Sequence, residues 1–227
     1  MTTLTIALAQ LNFHVGDIEA NAKRIRATEK KLKDTADLII FPELALTGYP
    51  PEDLLLRNKL HQRCAAEVSS ILSQSRQTAL LFGQPQQREN QIYNTATFID
   101  KNNHIQQYDK QHLPNYTVFD EKRYFTAGNK PCIISINHVN IGVLICEDLW
   151  LQKPITETKA AGADIIVCIN ASPFAHDKCD IRQQLLQTRS KENAIPILYV
   201  NLVGGQDELV FDGGSMAVNA QGEIIHQ

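Results

Sequence analysis

The amino-acid sequence predicts a single layered α/β domain in which helices cover the faces of β-sheets. Its 227 residues are enough for one such domain with a sizeable core and short for two. Stretches with helical apolar spacing alternate along the chain with β-rich runs. Several of those runs are apolar on both faces, which is expected of strands that lie between two layers.

Helical spacing first appears in Ile18, Ala22, Ile25 and Leu32. A second helix is predicted over residues 58–75 and a third over residues 177–193. Each pattern is amphipathic, so we expect these helices to cover the sheets with one apolar face.

Strand patterns occupy the segments between these helices. Residues 4–9 alternate as a strand does, and residues 224–225 give a last strand signal. The other predicted strands are 38–41, 79–82, 95–99, a run ending near residue 108, 133–136, 141–145, 165–169 and 197–200. The longest irregular stretches, residues 47–57 and 111–130, are candidate active-site loops.

Charge and hydropathy exclude two classes of partner. The formal net charge is -3, and the 22 Lys and Arg residues are scattered, so there is no basic face for nucleic acid. No run approaches the roughly 20 apolar residues that a membrane-spanning helix needs. The chain starts with a strand pattern and without a basic flank or a long apolar run, so we expect a cytoplasmic protein.

The cysteine pattern indicates neither disulfides nor a metal site. The five cysteines are an odd number and include no C-x-x-C pair. They are Cys64, Cys132, Cys146, Cys168 and Cys179. Most should be small buried groups, so a nucleophile among them has to be identified from its surroundings.

Three predicted strands lead directly to chemically capable side chains. Glu43 follows strand 38–41, Lys110 follows the run near residue 108, and Cys146 follows strand 141–145. Ligands bind at the carboxyl ends of strands in α/β sheets, so one cleft could collect all three.

Each of these residues also has a structural interpretation. Cys146 could be a core cysteine at a strand end. Lys110 could be an edge lysine in water. Glu43 could be a helix N-cap, although a buried carboxylate flanked by apolar groups and prolines implies a basic or hydrogen-bonding partner.

Longer motifs surround these residues and extend over nearly the whole chain. They are GYPPEDLL at residues 48–55, KQHLPNY at 110–116, VFDEKRYF at 118–125, CEDLW at 146–150, NASPF at 170–174 and DGGS at 212–215. Together with the order Glu43, Lys110, Cys146, they resemble the nitrilase superfamily of carbon–nitrogen hydrolases, and within it the glutaminase domains of glutamine-dependent NAD synthetases. The resemblance implies a four-layer α-β-β-α sandwich and a Glu-Lys-Cys catalytic triad.

The resemblance also implies a role for each residue of the triad. Cys146 would attack the amide carbon of glutamine, Glu43 would take the thiol proton and later activate water, and Lys110 would stabilise the oxyanion. A cationic Lys110 is expected to lower the pKa of the Cys146 thiol. His112 is then a neighbour of the triad and not its base.

Further residues match the substrate-binding positions of that family. Tyr116, Ser172 and Lys178 would hold the ammonium and carboxylate of glutamine. Each also has a structural interpretation: Tyr116 could pack within a loop, Ser172 could be a turn residue before proline, and Lys178 could be a solvated helix residue. Glu121 would orient Lys110. The alternative is that Glu121 is a surface ion-pair partner of Lys122 or Arg123. Glu147 would be a second supporting carboxylate.

The family pattern implies partners as well as residues. Amide hydrolysis would need no metal or cofactor, whereas ATP and Mg²⁺ are expected only in a following synthetase domain that this chain lacks. The glycine pairs at 204–205 and 213–214 have no phosphate-binding context. We expect residues 1–227 to be a glutaminase domain without its C-terminal end, and a homo-oligomer. The alternatives are a free-standing ω-amidase or carbamoylase, and an inactive binding module.

Overall fold

The computed structural model describes residues 3–74 and 76–227. Its helices are α1 (Ile18–Leu32), α2 (Asn58–Leu72), α3 (Glu147–Trp150), α4 (Gln152–Ala160) and α5 (Lys178–Asn193). The three predicted helices are confirmed as α1, α2 and α5. The second was predicted to reach Ser75, but the helix ends at Leu72 and Ser75 lies outside the described residues.

The strands are β1 (Ile6–Leu8), β2 (Leu38–Ile40), β3 (Ala79–Arg88), β4 (Gln91–Ile99), β5 (Ile105–Asp109), β6 (Ile133–Ile136), β7 (Val139–Ile145), β8 (Ile165–Asn170), β9 (Ile197–Asn201), β10 (Val203–Gln206), β11 (Leu209–Asp212), β12 (Met216–Val218) and β13 (Ile224–His226). Every predicted strand is present. β3 and β4 extend well beyond their apolar runs, because their polar ends pair with each other as far as Arg88 and Gln91.

Two sheets contain most of these strands. The first has the order β1-β2-β3-β4-β5, parallel from β1 to β3 and antiparallel from β3 to β5. The second has the order β13-β12-β9-β8-β7-β6, with β7, β8 and β9 parallel. β10 and β11 form a separate antiparallel hairpin.

Alternation along β2 shows how the layers stack. Leu38 and Ile40 belong to the core between the two sheets, together with Val143 of β7. Ile39 lies in the other core, with Ile25 of α1, so α1 and α2 cover the outer face of the first sheet. α4 and α5 contact the second sheet through β7 and β12. The result is the expected α-β-β-α sandwich.

The loops predicted to be irregular contain short 3₁₀ helices. Glu52–Leu56 forms one within residues 47–57, and Glu121–Arg123 forms another within residues 111–130. α3 and α4 were not predicted, since α3 is a single turn and α4 is short and polar.

Within residues 3–74 and 76–227, no helix is long and apolar enough to cross a membrane.

Candidate active site

Glu43 lies in the turn that follows β2, with its side chain buried. Its Oε1 accepts hydrogen bonds from Asn94 Nδ2 and Lys110 Nζ, both at 2.7 Å. Its Oε2 accepts the backbone N–H of Ala171 at 3.0 Å. The N-cap interpretation is wrong, because no helix begins at Glu43 and its partners come from distant strands.

The close approach of this turn to β3 depends on a glycine. A Cβ placed on Gly83 would overlap the backbone nitrogen of Leu44 and lie 2.7 Å from the carbonyl carbon of Glu43. Leu44 itself has a φ of 47°, in the left-handed region. The missing side chain at position 83 therefore lets the Glu43 turn lie directly on the sheet.

Lys110 follows β5 and is completely buried, so the interpretation as an edge lysine in water is wrong. Its backbone N–H extends the pairing with β4 by donating to Asn94 O at 2.9 Å. Its Nζ lies 2.7 Å from Glu43 Oε1 and 2.8 Å from Glu121 Oε1. Burial alone would lower the pKa of Lys110, but Glu121 and Glu43 outweigh it and hold that pKa well above its usual value.

Glu121 is the second carboxylate on Lys110, as expected, and does not pair with Lys122 or Arg123. Its Oε1 also accepts the hydroxyl of Tyr49 at 2.9 Å, and its buried Oε2 has no hydrogen-bond partner among the described residues. Burial raises the pKa of Glu121 to about 7, against the opposing effect of Lys110. Two carboxylates and one ammonium thus share a buried site.

Cys146 occupies a sharp turn between β7 and α3, with a φ of 44° and a ψ of -99°. Its N–H donates to Ile169 O at 3.0 Å, and its carbonyl accepts the N–H of Leu149 at 3.0 Å. Non-glycine residues rarely adopt this region, so surrounding contacts must hold the strained backbone.

Lys110 lowers the pKa of the Cys146 thiol, as expected, but two other effects outweigh it. Burial raises the pKa of Cys146 well above its usual value, and the nearby carboxylate of Glu43 raises it further. Lys110 does lower it, but this effect is the smaller one. At rest Cys146 is therefore a neutral thiol, and the charges of Glu43 and Lys110 both act on its pKa.

A cavity of about 610 Å³ opens beside these residues, between the loop after Lys110 and α3. Tyr116, His112 and Glu147 line it. The hydroxyl of half-exposed Tyr116 donates to Glu147 Oε2 at 2.9 Å, so the predicted binding residue and the predicted supporting carboxylate are brought together. The space is large enough for a small amide substrate.

Ser172 follows β8, and Lys178 lies at the start of α5. Ser172 is buried, and its N–H donates to Asn201 Oδ1 at 2.8 Å. Lys178 begins α5 and places its Nζ 4.2 Å from the centre of the Trp150 ring, on the helix turn after Cys146. Neither residue is among those that line the 610 Å³ cavity.

Sequence reasoning missed two side chains that contact the charged cluster. Asn94 holds Glu43, and Tyr49 holds Glu121. Asn94 adjoins the predicted strand 95–99, where an amide just before an apolar run was the available signal. Tyr49 lies in the GYPPEDLL motif, but nothing in the sequence indicates that it contacts Glu121.

No group of three or more His, Cys, Asp or Glu side chains in the described part of the chain has the arrangement of a metal site. The charged groups of the candidate site instead satisfy one another as an ion-paired cluster.

Comparison with known proteins identifies the family. The model of the carbon–nitrogen hydrolase family matches residues 5–227. The chain is 42% identical over 225 residues to a glutamine-dependent NAD(+) synthetase of Xylella fastidiosa, and 40% identical over 225 residues to that of Aquifex aeolicus. The match to the Xylella protein spans 97% of this chain but only 41% of that protein. The match to the Aquifex protein spans 98% of this chain and 40% of that protein.

Solved structures agree with this. The glutamine-dependent NAD+ synthetase of Acinetobacter baumannii superimposes with a TM-score of 0.94 at 38% identity, over 97% of this chain and 42% of that one. An amidase from Nesterenkonia sp. superimposes with a TM-score of 0.88 at 26% identity, over 98% of this chain and 84% of that one. The resemblance to the nitrilase fold is therefore confirmed, and the chain belongs to the carbon–nitrogen hydrolase family.

Proposed function

We propose that this chain hydrolyses the side-chain amide of glutamine and supplies the ammonia to an ATP-using NAD synthetase domain. The observation that carries the proposal is the buried Lys110, held between Glu43 and Glu121 beside the strained turn of Cys146. Amide cleavage needs a nucleophile, a proton acceptor and a positive charge for the oxyanion, and this cluster can supply all three.

In the first half of the reaction Cys146 Sγ attacks the amide carbon. Because the thiol is neutral at rest, Glu43 takes its proton as the sulfur–carbon bond forms. The oxygen of the tetrahedral intermediate becomes negative beside Lys110 Nζ. The protonated Glu43 then gives its proton to the leaving nitrogen, so the carbon–nitrogen bond breaks, ammonia leaves and a thioester remains.

In the second half a water molecule replaces ammonia. Glu43 takes a proton from this water as its oxygen attacks the thioester carbon, and Lys110 again faces the oxyanion. The carbon–sulfur bond breaks, and the proton returns to the sulfur. The products are glutamate, ammonia and the free thiol, and no metal or cofactor takes part.

Substrate selection would fall to Tyr116 and Glu147, which line the cavity, together with Lys178 and Ser172, which do not. Lys178 suits the carboxylate of glutamine, and Tyr116 with Glu147 suits its ammonium group. Ser172, next to the Ala171 amide that holds Glu43, is placed to contact the same amino-acid end. The relatives named as glutamine-dependent support glutamine over simple amides.

The partner in this proposal is a second domain. The chain spans about two fifths of the length of the NAD synthetases it matches, so ATP and Mg²⁺ binding would belong to the remainder. We place the reaction in the cytoplasm and in a homo-oligomer as part of the same proposal. Light scattering of the purified chain tests the oligomer.

A free-standing amidase is the second candidate. The Nesterenkonia amidase shares the fold over 84% of its own length, with no large additional part, which favours it. An ω-amidase or carbamoylase would use the same three residues on another amide. An inactive binding module is the third candidate.

Ammonia release separates these candidates. The purified chain should release ammonia from glutamine faster than from butyramide, and added synthetase domain should increase that rate. Cys146→Ala should abolish release, whereas Cys64→Ala, a buried thiol of α2, should retain it. Faster release from butyramide would favour the amidase. No release with either amide, alone or with the synthetase domain, would overturn both enzymatic candidates.

A further inference from the structure

Asp148 is a fully buried carboxylate two residues after Cys146 that takes no part in the proposed chemistry. It lies in the first turn of α3. We propose that Asp148 is a positioning residue that fixes the turn carrying Cys146 relative to the strand end carrying Lys110. This inference rests on the proposed function, because it concerns the alignment of the same two residues.

The contacts of Asp148 reach both sides of Lys110. Its Oδ1 accepts the backbone N–H of Gln111 at 3.1 Å and that of His112 at 2.8 Å. Its Oδ2 accepts the hydroxyl of Tyr108 at 2.8 Å. Residues 108, 111 and 112 flank Lys110 in the chain, so one carboxylate holds the Tyr108 side chain before it and the backbone after it.

The same carboxylate closes the turn of Cys146. Asp148 Oδ2 also accepts the backbone N–H of Ile145, at 3.3 Å. This N–H immediately precedes the residue with the positive φ. Strain in that conformation persists only where surrounding contacts determine it, and this hydrogen bond is one of them.

Lys110 and Cys146 follow strands of different sheets, so contacts between the sheets have to align them. β5, which ends at Lys110, is the last strand of the first sheet, whereas β7, which ends at Cys146, belongs to the second. The two strands pack face to face and share no backbone ladder. Their relative position therefore depends on side-chain contacts such as those of Asp148 and on the backbone hydrogen bonds of residues 128–132. A displacement of about 1 Å is enough to cost roughly a hundredfold in rate.

The main test replaces the carboxylate by an amide of the same shape. In Asp148→Asn one oxygen becomes an NH₂ group. It can donate to the Tyr108 hydroxyl in place of Oδ2, but the Ile145 N–H then loses its acceptor, so the contact to the Cys146 turn is lost. We expect kcat per titratable Cys146 to fall at least about tenfold, while KM stays within about threefold. A purely structural role would lower the melting temperature and the fraction of titratable thiol but leave kcat per titrated thiol unchanged.

Matched variants keep the test decisive. Asp164→Asn is the control, since exposed Asp164 also accepts a backbone N–H, that of Asn140 at 2.9 Å, away from the site. Tyr108→Phe removes one donor to Asp148 and should give a smaller loss of kcat than Asp148→Asn. It carries the test if Asp148→Asn does not fold.

A readout without turnover separates this inference from the proposed function. The rate at which iodoacetamide alkylates Cys146, followed by peptide mass spectrometry, depends on Glu43 and Lys110 but needs no glutamine hydrolysis. It should fall at least about threefold in Asp148→Asn and remain unchanged in Asp164→Asn. If the wild-type chain hydrolyses no amide, the proposed function fails and alkylation still decides the role of Asp148. Equal alkylation rates and equal kcat in both variants would overturn the inference.

Discussion

Lys110 Nζ and Glu43 Oε1 lie 2.7 Å apart, and both side chains are buried. The two residues are 67 positions apart in the chain, and each follows a strand of the first sheet. A buried charge is costly unless it is paired, so this contact both holds the site together and makes it sensitive to the loss of either partner.

Replacing Lys110 therefore affects stability as well as rate. Lys110→Met leaves Glu43 and Glu121 buried together without their cation, and we expect the free energy of unfolding to fall by about 3–5 kcal/mol. Urea unfolding measures this. Adding Glu121→Gln should recover part of the loss, because one uncompensated carboxylate is removed. A double variant no more stable than Lys110→Met would contradict the ion-paired arrangement.

Glu43→Gln tests the base with a side chain of the same shape. The amide cannot take a proton from Cys146, and if its oxygen accepts the Ala171 N–H, its NH₂ group faces Lys110 Nζ and Asn94 Nδ2, so some stability is lost as well. We expect kcat for glutamine to fall at least about a hundredfold, with a smaller change in KM. An unchanged kcat with lost binding would make Glu43 a binding residue.

The grouping of Glu43, Lys110 and Cys146 could be predicted because each follows a strand and such ends meet in α/β folds, whereas their catalytic roles are implied only by the resemblance to carbon–nitrogen hydrolases. What could not be predicted is how they are held. The role of Asn94 depends on the pairing of β3, β4 and β5, and that of Asp148 depends on how two sheets stack. For the same reason the sequence indicates that Lys110 lowers the pKa of Cys146, but not that burial outweighs this effect.

The amino-acid end of glutamine gives a separate prediction. Lys178→Ala and Tyr116→Phe should raise KM for glutamine more than they lower kcat, because neither residue is proposed to touch the scissile amide. Comparison with butyramide isolates this effect, since butyramide lacks the charged groups that the two residues would bind. Equal losses on both amides would show that neither residue recognises the amino-acid end.

The buried carboxyl group of Asp148 should make the stability of the fold depend on pH. Burial raises the pKa of Asp148 from 3.8 to about 7. Between about pH 4 and pH 7 the folded state therefore binds more protons than the unfolded state, and the free energy of unfolding falls as pH rises. The slope from this one group is at most about 1.4 kcal/mol per pH unit. Urea unfolding across this range should show a shallower slope for Asp148→Asn than for wild type, and an unchanged one for Asp164→Asn.

Gly83→Ala tests whether the Glu43 turn has to lie directly on β3. A Cβ at position 83 would overlap Leu44 N, a backbone atom, so the turn itself has to move. Overpacking of this kind costs about 1–3 kcal/mol, and a shift of Glu43 by about 1 Å would lower kcat roughly a hundredfold. Gly205→Ala is the matched control, because the nearest atom to its added Cβ is Leu209 O at 3.5 Å, an ordinary contact. Thermal unfolding and ammonia release should both change in the first variant and neither in the second. A Gly83→Ala chain with wild-type kcat would mean that Glu43 tolerates displacement and that its close packing is not what aligns it with Cys146.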